Sequence, residues 1–496
     1  MSRTVVTPSQ LEAGVAKGPE RHPGGLYILF ASEMWERFGF YTAAAIMTLY
    51  LQRGGFGWSE TSATKLWSYY LMFIYATPLV GGWLADKFLG YRKSVVIGAI
   101  FFVAGYILLG FGAFATYYLA LALLFAGNGF FKPNISTMVG NLYPANSPLK
   151  DSAYSIFYMG INIGALLAPI VAEGSLQLLA GSDVLELAKK GDALSAAQAA
   201  SLRAGFLIAF YAAAAGMTLG TVILLIFYRK LAGADRRHVP LASVDAEAVS
   251  VTEDIPPSPE ALTPIEQVPE SKRIAALLVI YGIVIVFWMV FHQNGTTMTY
   301  WADKNTAWKV SGVVSNAINP FWIVVLSLPL VNVWNWLRKR GLEPSTPSKM
   351  AIGMFLTCLA FLILFVAAKS GGDQTFVTDA QGQFVRDEHK QLKAIQNQVS
   401  PLWLIAAYMV ISLGELMLSP MGLSLVSKVA PTRMRGLMMG GWFVATAIGN
   451  KLTVIGIFWS EWYHSSFWLL CSLLALGMTI VLILLLRPLK KAMPGV

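Results

Sequence analysis

Twelve apolar runs, each near the length that crosses a lipid bilayer, divide this chain. They fall roughly at 27–51, 62–86, 93–112, 114–140, 152–178, 204–228, 274–295, 312–337, 350–368, 401–427, 436–459 and 465–486. The hydrocarbon layer takes about 20 residues of helix. Lipid offers no partner to an open backbone group, so each run is predicted to be helical. Composition agrees, with 56% hydrophobic and 13% charged residues and a mean hydropathy of +0.58. A soluble chain carries about 25% charged residues. A soluble enzyme, a disordered chain and a coiled coil are thereby excluded. Cys358 and Cys471 both sit in apolar runs, which argues against a disulfide framework or a thiolate metal site.

An even number of spans puts both ends of the chain on one side. Lys and Arg favour that side by about two to one, which marks it as cytoplasmic. The net charge of +10 is therefore read as membrane orientation and not as affinity for nucleic acid. Residues 1–26 are polar, without the pattern of a cleaved signal peptide. The spans divide into a bundle at 27–228 and a second at 273–487, with a tail at 488–496. Between them, 229–272 is polar and holds Pro256, Pro257, Pro259, Pro264 and Pro269, the composition of a passive tether. It is too polar to hold an extra helix pair. A second polar stretch, 369–400, lies on the outer side and is long enough for a small ordered hairpin. The expected architecture is an all-α polytopic membrane protein of twelve transmembrane helices in two six-helix bundles. Such a build places a substrate path between the bundles.

Ionisable residues within the spans cost about 2.5–3.5 kcal/mol each on insertion scales, so they direct attention to function. They are Glu33, Glu36, Arg37, Lys132, His292, Glu415 and Lys451. Spacings of three and four put Glu33, Glu36 and Arg37 on one helix face. Two carboxylates beside one guanidinium call for a further cation or a proton. Lys132 can supply the cation, and Pro133 loosens the helix beside it. Moving Lys132 towards or away from the acids would switch their proton affinity. Lys451 lies far along its span from the cytoplasmic Arg433 and is expected to snorkel outward.

Several motifs carry a resemblance. The loop from Gly82 to Lys93, with Asp86, Gly90, Arg92 and Lys93, resembles the major facilitator signature. Glu33-x-x-Glu36-Arg37-Phe38 resembles the ExxERF motif of the proton-coupled oligopeptide transporters within that superfamily. Phe157-Tyr158-x-x-Ile161-Asn162-x-Gly164 and Gly414-Glu415-x-x-x-Ser419-Pro420 resemble two further motifs of the same family. The resemblance implies the major facilitator fold and symport of di- and tripeptides with protons, with no other cofactor. It implies that Glu33, Glu36 and Lys132 handle the proton, with His292 a further candidate. Arg37 and Lys132 would hold the peptide carboxylate and Glu415 its ammonium group. Tyr41, Tyr75, Asn162 and Asn319 would bond the peptide backbone, and Trp288, Trp442 and Thr446 would line side-chain pockets. Asp86, Arg92 and Lys93 would stabilise one closed state, Asp86 by pairing with a basic residue near a helix end. The protein would work as a monomer in the lipid bilayer, by default the cytoplasmic membrane of a prokaryote.

Two departures stand out. Many bacterial members carry an acid where this chain has His292, paired with an arginine where it has Ala44. Both partners are absent together, so no charge is left unpaired. Mammalian members carry a histidine where this chain has Ser68. Nitrate, an amino-acid derivative or a drug stays open as the cargo of the same fold. The histidine of plant nitrate carriers falls at Phe291, which weakens the nitrate reading. A membrane-embedded enzyme is the remote alternative, since no HExxH motif and no clustered nucleophile and base are present.

Overall fold

The computed structural model describes residues 21–144, 147–190, 192–235, 264–307, 317–386 and 392–495. Most of the expected tether and the start of the eighth span lie outside the described residues. Twelve long helices are present among them: α1 Gly24–Arg53, α2 Glu60–Leu84, α3 Tyr91–Gly110, α4 Phe114–Asn141, α5 Lys150–Ala180, α6 Ala196–Ile226, α7 Glu270–Phe291, α8 Ile318–Lys339, α9 Thr346–Ala367, α10 Leu402–Val429, α11 Arg435–Leu452 and α12 His464–Ala492. Nine helices among the described residues are long and apolar enough to cross a membrane by length and composition alone. α1 falls short of that measure because Glu33, Glu36 and Arg37 occupy its middle. Their large apolar side chains also face outward, as with Leu178, Ile226 and Leu484. Such faces need lipid beside them.

Two expected spans end early as α-helix. The seventh changes at His292 into a 3-10 turn, His292–Gly295, and the eleventh continues as a 3-10 segment, Thr453–Ser460. The expected hairpin on the outer stretch is present as two short antiparallel strands, β1 Thr375–Phe376 and β2 Ala394–Ile395.

In the first half α1 packs on α5 and α6, α2 on α4, and α3 on α4 and α6. In the second, α9 packs on α10 and α12, and α7 on α11 and α12. The halves meet along α2–α11, α5–α8, α5–α10 and α4–α11. Glycines on α5 set how closely α1 approaches. A Cβ on Gly164 would lie 2.4 Å from the Met34 carbonyl oxygen, and one on Gly160 would lie 2.8 Å from the Phe30 ring. The small residues of the Phe157–Gly164 motif therefore bring the charged face of α1 into the interior.

Candidate functional site

The four charges expected to meet do so. Arg37 grips Glu36 through two nitrogens, with Nη2 2.5 Å from Oε1, and its Nε stands 3.6 Å from Glu33 Oε1. Lys132, from α4, donates to that same Glu33 oxygen. The second Glu33 oxygen is buried without a hydrogen-bond partner among the described residues. Both glutamates are fully buried, and Arg37 and Lys132 are nearly so. Asn128, one turn before Lys132, takes a 3.4 Å hydrogen bond from Arg37 and donates 2.5 Å to the Ile74 carbonyl. Sequence reasoning missed Asn128. Its spacing of four from Lys132, on the same helix face, was the available signal.

A second site forms around Glu415 on α10. Tyr158 of α5 donates to one carboxylate oxygen, and Asn319 of α8 donates to the other at 2.9 Å. The Asn319 amide also donates to Ser412 Oγ at 2.9 Å. Glu415 is thus held from both halves. In the sequence Tyr158 stands out only as part of a motif, because an aromatic residue in a span reads first as packing. Asn319, expected to meet a peptide backbone, here orients the carboxylate. Tyr41 is the most open residue of the set, at 36% exposed. It stands one turn along α1 from Arg37. Tyr75 is half-buried.

The remaining expected residues separate. Asn162 donates to the Tyr158 carbonyl on its own helix at 3.0 Å. Trp442 is buried over Gly422, where a Cβ would fall 1.8 Å from its ring, and Thr446 donates to the Trp442 carbonyl at 3.1 Å. Trp288 and His292 stack, with ring centroids 4.9 Å apart. The indole nitrogen of Trp288 and Nε2 of His292 are both buried without a hydrogen-bond partner among the described residues. Ala44 is half-buried, Lys451 is exposed, and the side chain of Ser68 lies outside the described residues.

The end of the bundle at which α1 starts and α12 ends is bridged across the two halves. Asp86 accepts from the backbone N–H groups of Gly436 at 2.9 Å and Leu437 at 2.8 Å, and from the Tyr91 hydroxyl at 2.8 Å. It therefore caps the N-terminus of α11. This corrects the expectation of a basic partner: the acid meets a helix dipole. Gly90, at φ +80°, makes the turn that places it. Arg92 pairs with Asp235, at the start of the polar stretch between the bundles, at 3.1 Å, and Lys93 is exposed. Of the three expected gating residues, Asp86 alone makes a hydrogen bond to the other half among the described residues.

A larger ion cluster was not foreseen. Asp151 of α5 accepts from Lys349 at 2.7 Å, Lys428 at 2.6 Å, Ser424 at 2.6 Å and Thr346, all in the second half. Lys349 also bonds Glu343 at 2.6 Å, which holds Arg338. Arg338, Lys349 and Lys428 lie near span ends, where the sequence reads them only as orientation charges.

The sequence profile of the POT family matches residues 92–232 and 228–462. A Bacillus subtilis protein called uncharacterized transporter YclF is 29% identical, over 97% of this chain and 97% of its own. The dipeptide and tripeptide permease A of Citrobacter koseri is 30% identical over 87% of this chain and 83% of its own. A solved structure of the peptide transporter POT, as a mutant in complex with alafosfalin, superposes with a TM-score of 0.62 at 26% identity. That alignment covers 99% of this chain and all of the other. The helical major facilitator fold expected from the sequence superposes on that structure.

Proposed function

The chain belongs to the POT family, and we propose that it is a proton-coupled symporter of di- and tripeptides working by alternating access. The observation that carries this reading is a pair of buried sites: one holds Arg37 and Lys132 against their two glutamates, and the other holds the separate carboxylate of Glu415. A zwitterionic peptide needs a cation for its carboxylate and an acid for its ammonium group, and charge-assisted hydrogen bonds fix its direction. Relatives named dipeptide and tripeptide permease support the same cargo.

Coupling follows from the economy of buried charge. Glu33, Glu36, Arg37 and Lys132 balance one another. When the peptide carboxylate draws Lys132 and Arg37 to itself, the glutamates lose their partners. A buried unpaired carboxylate costs several kcal/mol, and a proton neutralises it. His292, stacked on Trp288, serves as a further hydrogen-bonding group beside this path, and Asn162, Trp442 and Thr446 line it. The bundles at 27–228 and 273–487 rock about the site, with Asp86 holding one end closed and Arg92 and Lys93 supporting that loop. The protein acts as a monomer in a prokaryotic cytoplasmic membrane, with both termini cytoplasmic.

The test is uptake of labelled di-alanine into proteoliposomes, with and without an inward proton gradient. Gradient-driven accumulation blocked by tri-alanine and not by nitrate is expected. Accumulation blocked by nitrate alone, or none in folded protein, refutes the assignment.

A further inference from the structure

Two prolines lie inside helices beside the Arg37–Lys132 group, Pro78 in α2 and Pro133 in α4. A proline within a helix has no N–H to give the carbonyl four residues before it. The carbonyls set free are those of Ile74 on α2 and Gly129 on α4. A buried carbonyl in a membrane-spanning helix needs another partner. Each finds it on the other helix. The Ile74 oxygen accepts from the Asn128 side chain of α4 at 2.5 Å, with the Thr77 hydroxyl more distant at 3.4 Å. The Gly129 oxygen lies against Gly81 of α2. A Cβ on Gly81 would fall 1.9 Å from it, so the Cα hydrogen on that side points at the oxygen.

The first of these contacts fixes the Asn128 amide. A carbonyl can only accept, so the nitrogen faces Ile74. The amide oxygen is then turned to Arg37, which can only donate, and takes its Nη2 at 3.4 Å. Asn128 and Ile74 are both buried, which leaves little room for water to replace either bond. The same bend of α2 touches the second half. A Cβ on Gly440 of α11 would lie 2.7 Å from the Pro78 carbonyl oxygen and 2.8 Å from Leu79 Cα. The proline segment of α2 therefore meets α11 and Asn128 alike. A helix bends most readily where proline has removed a backbone hydrogen bond.

We propose that Asn128 is a positioning residue that relays the bend of α2 to Arg37. Its amide is held by the carbonyl that Pro78 opens, and the oxygen so oriented sets the guanidinium that would receive the peptide carboxylate. Movement of α11 against Pro78 reaches the cargo site by this route. The inference rests on the peptide reading given to Arg37 above; the exchange of contacts between α2 and α4 does not.

The test combines thermal unfolding in detergent with counterflow exchange of labelled di-alanine in proteoliposomes, for Asn128→Ala, Pro78→Ala and the double variant. Asn128→Ala is expected to unfold several degrees below the unaltered protein, because a buried carbonyl loses its donor. Pro78→Ala supplies a backbone N–H to Ile74, so in that background the same substitution should lower the unfolding temperature much less. Asn128→Ala should also raise the half-saturation concentration about three- to tenfold, the scale of one hydrogen bond. The double variant should keep that rise while it regains stability, a separation that a role in packing alone would not produce. Pro78→Ala by itself should lower the maximal exchange rate about threefold or more, the rate equivalent of the one backbone hydrogen bond it adds to the bend. An equal loss of unfolding temperature in both backgrounds overturns the proposal. So does an unaltered half-saturation in Asn128→Ala, or an unaltered rate in Pro78→Ala. These results leave the peptide reading standing, whereas no exchange by the unaltered protein refutes that reading and the role of Asn128 with it.

Discussion

Lys132 donates to Glu33 across α4 and α1 while its ammonium group lies 5.7 Å from the ring centre of Phe443 on α11. One side chain thus bonds an acid of its own half and faces an aromatic ring of the other. Any rocking of the halves changes its surroundings. Pro133, the next residue, leaves the backbone there with one hydrogen bond fewer. The pair is therefore the natural link between peptide, proton and conformation.

Glu415 should read the peptide's amino end. Glu415→Ala is expected to weaken competition by free di-alanine by about ten- to a hundredfold, the scale of a lost charge-assisted contact. N-acetylated peptide should change little. Tyr158→Phe removes one of the carboxylate's two clamps and should cost about three- to tenfold. Equal losses for free and acetylated peptides would count against an ammonium contact. Competition curves against labelled di-alanine measure both.

Asp151 carries the closure of the terminus-bearing end. Asp151→Asn leaves Lys349 and Lys428 without their shared partner, and breaking a buried pair from one side costs about 3–5 kcal/mol. The thermal unfolding midpoint should fall by several degrees. Asp151→Asn combined with Lys349→Gln should recover part of that loss. An unchanged midpoint in the single variant would show that the cluster does not hold this end.

Gly164 sets the approach of α1 to α5. A valine there would drive its side chain into the Met34 carbonyl, and overpacking of this kind costs about 1–3 kcal/mol. Gly164→Val is expected to lower the unfolding midpoint and to abolish uptake, because the Glu33–Arg37 face is displaced. Normal transport by this variant would contradict the packing account.

His22 gives a pH dependence. It meets Tyr143 Oη at 2.8 Å and Ser152 Oγ at 3.4 Å. Burial, with the Arg338 charge beside it, holds its imidazole below the usual range. The undocked segment then binds more protons than the docked one, so docking is complete above the ordinary histidine pKa of about 6.5 and is lost as pH falls below it. Hydrogen-exchange protection of the residues after His22, corrected for the intrinsic pH dependence of amide exchange, should be lower at acid pH than at neutral pH. In His22→Gln that difference should disappear.

Much of this was legible in the sequence, for physical reasons. Apolar runs must become helices in lipid, so the twelve spans were readable. Glu33, Glu36, Arg37, Lys132 and Glu415 stood out because charge is costly there. Asn128 and Tyr158 did not, since amides and phenols pack in many spans without a role. The Asp151 cluster was hidden for another reason: Lys349 and Lys428 sit near span ends, where basic residues are ordinary. The partner of Asp86 was misread because a helix N-terminus is a charge that no side chain announces.

The most direct measurement compares gradient-driven accumulation of di-alanine with counterflow exchange in Glu33→Gln proteoliposomes. With the carboxylate neutral, Lys132 has no acid to release. Driven accumulation is predicted to fall about tenfold or more, equivalent to at least 1.4 kcal/mol, while counterflow continues. Driven accumulation at the level of the unaltered protein would contradict the role given to Glu33 and Lys132.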